Sequence, residues 1–199
     1  MKEQESWGQL SKVQFSKFYH KFVKTYGKPI TRKRLAISFW DPKIGKNVDT
    51  RIRITDGKPQ IVQKLGRWAR TKKWKFTETF LDLPSDVDQI FNTYKILRNL
   101  VRRNDSCRFI QHKNYIFETE NFEIKLSKQF GKITKYVFEV ELKKPGKHLQ
   151  KIVKSLGLYK YTKETDTDFW EKWNKTTNLT DEELKEEGVR KLIRKYLLN

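Results

Sequence analysis

The chain has 199 residues, 36% of them hydrophobic and 34% charged, with six Trp, eight Tyr and thirteen Phe; that length suits one domain with a real core, and the aromatic content excludes a disordered chain. The formal net charge of +20 calls for anionic company, which means nucleic acid, anionic lipid or a polyphosphate. The lone Cys107 excludes an internal disulfide and a cysteine zinc site, His20, His112 and His148 lack metal spacing, no apolar run reaches the roughly 18 residues of a membrane span, and MKEQESWGQL is no secretory signal, so a soluble, intracellular, cytoplasmic protein is expected.

In chain order, residues 11–26 read as an amphipathic helix. Ser11 and Gln14 form a capping box, Val13, Phe15, Phe18, Tyr19, Phe22 and Val23 recur at helical spacing, and Gly27 and Pro29 end it. Residues 34–40 predict a strand, followed by a turn at Asp41-Pro42 and Gly45. Residues 48–55 and 59–65 predict a hairpin about Asp56-Gly57, ended by Gly66, and residues 73–81 a further strand. Ser85, with Asp88 at the box position, is expected to start a helix lined by Val87, Ile90, Phe91, Tyr94 and Leu97. Strands follow over 106–118, 121–127 and 134–143, stopped by Pro145-Gly146. Leu149, Ile152, Val153 and Leu156 mark a short helix ended by Gly157, and Thr180 with Glu183 caps a last helix reaching about Leu198. The expectation is one domain over 1–199, with strands and helices in 1–157 and a helical extension in 158–199. In that extension DTDFWEKWN could cover one end of the fold. The tight hairpins argue for antiparallel pairing.

Side chains alternate along a strand, and here the alternation separates charge from apolar bulk. Ile52 and Ile54 oppose Arg51 and Arg53, and Ile61 and Leu65 oppose Gln60 and Lys64. Phe122, Ile124 and Leu126 oppose Glu123, Lys125 and Ser127; Tyr136, Phe138, Val140 and Leu142 oppose Val137, Glu139 and Glu141. Amphipathic helices can cover the apolar faces. The polar faces either meet water on an open sheet, which pattern alone favours, or line a hydrated tunnel that holds a polyanion and cations, because a dry interior with so many charges would be costly.

VDTRIRITDGKPQIVQKLGRW shifts that balance, because it resembles the early strands of the CYTH family, the triphosphate tunnel metalloenzymes. Members carry an N-terminal E-x-E-x-K/R, then R-x-R before a hairpin, then Lys shortly before Gly, and a final E-x-E. This chain has Glu3-Gln4-Glu5, Arg51-Ile52-Arg53, Lys64-Leu65-Gly66 and Glu139-Val140-Glu141 in that order, with Glu78 in FTETF similar to an acidic position of a middle strand. The resemblance covers about residues 3–143 and implies an α+β fold: a closed antiparallel eight-stranded β-barrel, or tunnel, with flanking helices. It implies a divalent-metal-dependent triphosphate hydrolase that binds a linear triphosphate. Glu3, Glu5, Glu139 and Glu141 would be catalytic, and with Glu78 would hold Mg²⁺ or Mn²⁺, which favour hard oxygen ligands. Arg51, Arg53, Lys64, Arg108 and Lys125 would bind substrate, the arginines through forked donors suited to phosphate oxygens.

Several positions depart from the family pattern. Trp7 stands where a basic residue is expected, Phe76 where another is, His112 and Asn114 replace a K-x-R pattern that Arg108 could compensate, and Lys125 replaces a carboxylate. The alternative is therefore a catalytically weak or inactive tunnel that binds polyphosphate or RNA, with Trp68, Trp74 and Trp170 available to stack bases. A cyclase ranks last, since nothing reads as an adenine pocket. The expected partner is a small triphosphate or an RNA 5′ end, with nucleic acid also in reach of the basic surface, Lys185, Arg190, Lys191, Arg194 and Lys195 included, and no membrane.

Overall fold

A computed structural model describes residues 2–39, 48–67, 74–100, 107–143, 148–163 and 167–198. Eight antiparallel strands make the body of the fold: β1 (Lys2–Leu10), β2 (Ile30–Ser38), β3 (Val48–Thr55), β4 (Lys58–Arg67), β5 (Trp74–Asp82), β6 (Arg108–Glu118), β7 (Phe122–Phe130) and β8 (Lys135–Leu142). Their order is β2-β3-β4-β5-β1-β8-β7-β6, and β6 also pairs with β2. The short β9 (Leu179–Thr180) adds to the start of β6. Five helices join them: α1 (Lys12–Tyr26), α2 (Val87–Leu100), α3 (Leu149–Ser155), α4 (Thr167–Thr177) and α5 (Asp181–Leu197). None among the described residues is long and apolar enough to cross a membrane.

The α+β class and antiparallel pairing match expectation, but the closed barrel is corrected to a curled half-barrel. β6 follows β2 along the whole of Ile30–Ser38, whereas β1 meets β5 only through Lys2–Glu5 against Trp74–Thr77. After Glu5, β1 continues along β8 instead. Phe80, opposite Val62 and on the concave side, is consequently 62% exposed. The wall is open where β5 outruns its partner.

The convex face carries the core in two parts. α1 and α3 lay Phe15, Phe18, Phe22, Leu149 and Val153 over Phe117, Ile124, Leu126, Phe138 and Val140. α2 and α5 lay Ile90, Phe91, Val189 and Ile193 over Leu35, Ile37, Ile52, Ile54 and Phe109. Burying such a side chain is worth about 1.5–3 kcal/mol, so these contacts anchor the sheet's curvature. Gly8 permits close passage of a 3-10 turn (Tyr159–Tyr161): a Cβ there would stand 2.3 Å from the Tyr161 carbonyl oxygen.

Local signals hold at the capping boxes of Ser11 and Thr180 and at the hairpin, where Asp56 and Gly57 both take positive φ, as its turn requires. One cap moves. Asp86 Oδ1 accepts the Gln89 N–H at 2.8 Å and so starts α2, while Ser85 donates to the Gly57 carbonyl. The turns expected at Asp41-Pro42, Gly45 and Pro145-Gly146, and Trp68, lie outside the described residues, as do the side chains of Glu3 and Trp74.

Candidate active site

The concave face encloses a cavity of about 220 Å³. Its cations come from four strands: Arg34 from β2, Arg51 and Arg53 from β3, Lys64 from β4 and Lys125 from β7. Its carboxylates are Glu5 from β1, Asp49 from β3, Glu78 from β5 and Glu139 from β8. Arg34, Arg51, Arg53, Lys125 and Glu139 project inward for the same local reason: apolar strand neighbours belong to the convex core. Arg34 alternates with Leu35, Arg51 and Arg53 with Ile52 and Ile54, and Glu139 with Phe138 and Val140.

These charges are paired. Arg53 donates to Glu78 at 2.7 Å and to Gln60 at 3.1 Å, and Lys64 reaches the other Glu78 oxygen at 3.3 Å. Burial alone would raise Glu78, but Lys64 and Arg53 hold its carboxyl below the usual range. Arg51 is bridged to Asp49. Lys125 Nζ lies 2.6 Å from Glu139 and 3.9 Å from Glu123. Burial works against Glu139 ionising, yet Lys125 wins and brings it down to about 2. The same pair raises Lys125 against its own burial.

Three groups show what enclosure does. Glu5 is pushed up to about 8 by burial, which outweighs the lowering pull of Lys64 and Lys125 and is helped by Glu139 and Glu141. Arg34 comes down to about 10 through burial and the neighbouring Arg53. His112 is brought down to about 4 by burial, with Arg34 adding to it, so it is neutral at pH 7. Its Nε2, Asn114 Nδ2 and Asp49 Oδ1 are buried without a hydrogen-bond partner. Such atoms cost about 1–3 kcal/mol each when left unsatisfied, and in a cavity they are ready to meet a polar ligand or water.

α4 contributes Trp170, Trp173 and Asn174 to the cavity wall. Trp170 and Trp173 pack with Phe169 against Trp7 and Val137, with ring centroids of Trp7 and Trp173 5.5 Å apart. Gln129 donates to Asn178 at 2.6 Å, and Asn178 to Asn174 at 2.8 Å. Of DTDFWEKWN, expected to cover one end, the structure describes residues 167–174, and Trp170, Trp173 and Asn174 line the cavity.

The structure thus brings together Glu5, Arg51, Arg53, Lys64, Glu78, Lys125 and Glu139. Two expected residues stand apart from that cavity lining. Arg108 has the inward parity but lies at the start of β6, opposite Ser38 and Thr180, where β9 occupies the edge. Glu141 sits one pleat beyond Glu139, opposite Glu5 and Glu123. Sequence reasoning missed Arg34, Asp49, Gln129, Asn174 of α4 and Asn178 just after it. Parity along Arg34–Ser38 could have found Arg34, because Leu35 and Ile37 oppose it; nothing local marks Asn174 or Asn178.

Glu118, Glu123, Glu141 and Glu5 face one another in turn across β6, β7, β8 and β1. Directly opposed like charges repel, and hard carboxylate oxygens are the donors a divalent cation of the Mg²⁺ or Mn²⁺ kind takes. The donor chemistry fits such an ion, although among the described residues no three carboxylates converge as a formed metal site.

No family model matches the chain, and no curated protein does. Solved structures do. The PH1012 protein from Pyrococcus horikoshii OT3 superimposes with a TM-score of 0.61 at 15% identity, covering 82% of this chain and 95% of that one. HpAC1 from Hippeastrum, described as an adenylyl cyclase candidate with a dominant triphosphatase activity, gives 0.53 at 14% identity over 79% and 89%. A chain of the Schizosaccharomyces pombe Mediator head module gives 0.54 at 10% identity over 80% and 96%. The chain shares the fold of these proteins, and identities this low carry the fold alone.

Proposed function

We propose that the chain is a divalent-metal-dependent triphosphate hydrolase whose concave face holds a linear triphosphate. The observation that carries the reading is the convergence of Arg34, Arg51, Arg53, Lys64 and Lys125 on one small cavity beside Glu5, Glu78 and Glu139. A cation 4 Å from a phosphate charge contributes about 4 kcal/mol at an effective dielectric of ~20, so several together offset the loss of the substrate's hydration. The triphosphatase described for HpAC1 agrees with this assignment.

In this reading Arg51 and Arg53 take phosphate oxygens with their forked donors, and Lys64 and Arg34 add charge along the chain of phosphates. On substrate entry Arg53 and Lys64 exchange some of their hold on Glu78 for phosphate oxygens. His112, neutral, offers a hydrogen bond without adding charge. Phosphoryl transfer needs little covalent help from protein; positioning and charge stabilisation do most of the work. Glu5, Glu139 and Glu141, with Glu3, would hold Mg²⁺ or Mn²⁺, which would neutralise charge at the scissile phosphate and lower the pKa of bound water.

A second reading, a tunnel that binds polyphosphate or an RNA end without turnover, is favoured by the Lys125–Glu139 pair, since it ties up a carboxylate that hydrolysis would use. The test is phosphate release from inorganic triphosphate with Mg²⁺, Mn²⁺ or EDTA, in wild type and in Glu139→Ala/Glu141→Ala. Metal-dependent release that the double variant loses supports the hydrolase. Tight triphosphate binding with no release in either protein selects the second reading.

A further inference from the structure

Three lysines stand side by side on the convex face. Lys33 on β2 is opposite Lys113 on β6, and Lys113 is opposite Lys128 on β7. All three share the outward parity of Leu35, Phe109 and Ile124, so none points into the cavity. Directly opposed like charges destabilise a sheet, and with strands about 4.8 Å apart this row concentrates positive charge over about 10 Å. Lys113 and Lys128 rest over aromatic rings, 5.4 Å from Tyr115 and 5.8 Å from Phe15, and among the described residues neither pairs with a carboxylate. The nearest acid in the row, Asp56, accepts the Lys33 backbone N–H at 2.8 Å.

The row lies in a groove with basic walls. On β6, Tyr115 packs under α1, through Phe15 and Tyr19, while Gln111 meets Tyr196 and Lys195 of α5. Lys113 falls between them. Exposed Lys191 precedes Lys195 by one turn on the α5 wall. Lys12, seven residues before Tyr19, shares its side of α1. Beyond the β7 end of the row, Glu183 of α5 pairs with Lys132 at 2.6 Å and Glu187 is exposed.

We infer that this groove between α1 and α5 binds the phosphate backbone of a single nucleic-acid strand. A line of ammonium groups running between two helices, half-buried at Lys113 and Lys128, suits a thin, flexible polyanion better than a flat lipid surface. The walls meet β6 at Tyr115 and Gln111, four residues or about 13 Å apart at ~3.3 Å per residue, a width that suits one strand. Phosphate contacts of this kind carry no sequence preference. The inference stands apart from whatever the cavity turns over.

The experiment titrates a fluorescent single-stranded RNA with a 5′-hydroxyl end, which offers the cavity no triphosphate, against three proteins over a range of salt. The first is wild type. The second is Lys33→Gln/Lys113→Gln/Lys128→Gln. The third is Lys151→Gln/Lys160→Gln/Lys172→Gln, which removes equal charge from exposed positions elsewhere. Circular dichroism and thermal melting establish that each is folded. The groove variant should bind about tenfold more weakly and lose about 2 from the salt-dependence slope, the control should stay near wild type, and excess inorganic triphosphate should not displace the RNA. Equal loss in both variants, or in neither, overturns the inference. So does displacement by triphosphate, which would place the RNA in the cavity, and so does groove-dependent binding of phosphatidylserine vesicles without binding of RNA.

Discussion

Lys125 Nζ lies 2.6 Å from Glu139 Oε2, and the two residues face each other directly across β7 and β8. An ammonium therefore occupies the carboxylate that the family resemblance assigns to metal. Removing one partner of a buried pair leaves an unmatched charge. Lys125→Met should destabilise the fold by roughly 1–3 kcal/mol, less than a fully buried pair because Glu139 is 24% exposed. Urea denaturation at pH 7 checks this, and an unchanged midpoint would show the pair to be energetically idle. The same variant tests the two readings of function: in a hydrolase that needs Glu139 for metal, its half-saturating Mg²⁺ concentration should change.

Glu5 should make stability depend on pH. Its folded carboxyl is raised from 4.5 to about 8, so between those values the folded chain holds a proton that the unfolded chain has released. Stability then falls as pH rises through that window and is fully present below it. Gln resembles the protonated acid and does not titrate. In metal-free buffer, the melting temperature of Glu5→Gln should gain on wild type steadily from pH 5 to pH 8. A gap that does not vary with pH would contradict the assignment.

Arg34 and Arg108 separate cavity from parity. Both point to the concave side, but only Arg34 lines the cavity. A hydrogen bond to a charged group is worth about 1.5–3 kcal/mol, so Arg34→Ala should weaken binding of inorganic triphosphate tenfold or more. Arg108→Ala should change it less than about twofold, within 0.5 kcal/mol. Isothermal titration calorimetry gives both constants, and equal losses would mean that the ligand extends past the described cavity.

α4 should behave as part of the fold rather than as an appendage. Trp173 is 7% exposed and its ring lies 5.8 Å from that of Phe169 and 5.5 Å from that of Trp7. Trp173→Ala should cost about 3–5 kcal/mol. Guanidinium denaturation followed by circular dichroism would show a single shifted transition; a loss below about 1 kcal/mol would mean that the helix packs only weakly.

Much of this was legible along the chain because it is local. Alternation in Val48–Thr55 and Lys135–Leu142 separates the two faces of each strand, since neighbouring side chains must point oppositely. The Asp56-Gly57 turn and the Ser11 and Thr180 capping boxes need only nearby backbone groups. Where two adjacent residues compete for one local role, tertiary contact decides: Ser85 is drawn to the Gly57 carbonyl, which leaves the cap to Asp86.

By itself the sequence determined which residues could share a face, where α1 and α5 begin, and that the polar faces are rich in both signs of charge. Tertiary structure decided which of those faces meet. β1 lies between β5 and β8, so Glu5 comes to stand opposite Glu141; β2 closes on β6, so Arg34 stands opposite His112 and Lys33 opposite Lys113. Such pairings depend on register and curvature set across distant segments, and a shift of one residue would turn every side chain to the other face. The seating of Trp173 on Trp7 spans almost the whole chain, and no local spacing encodes it.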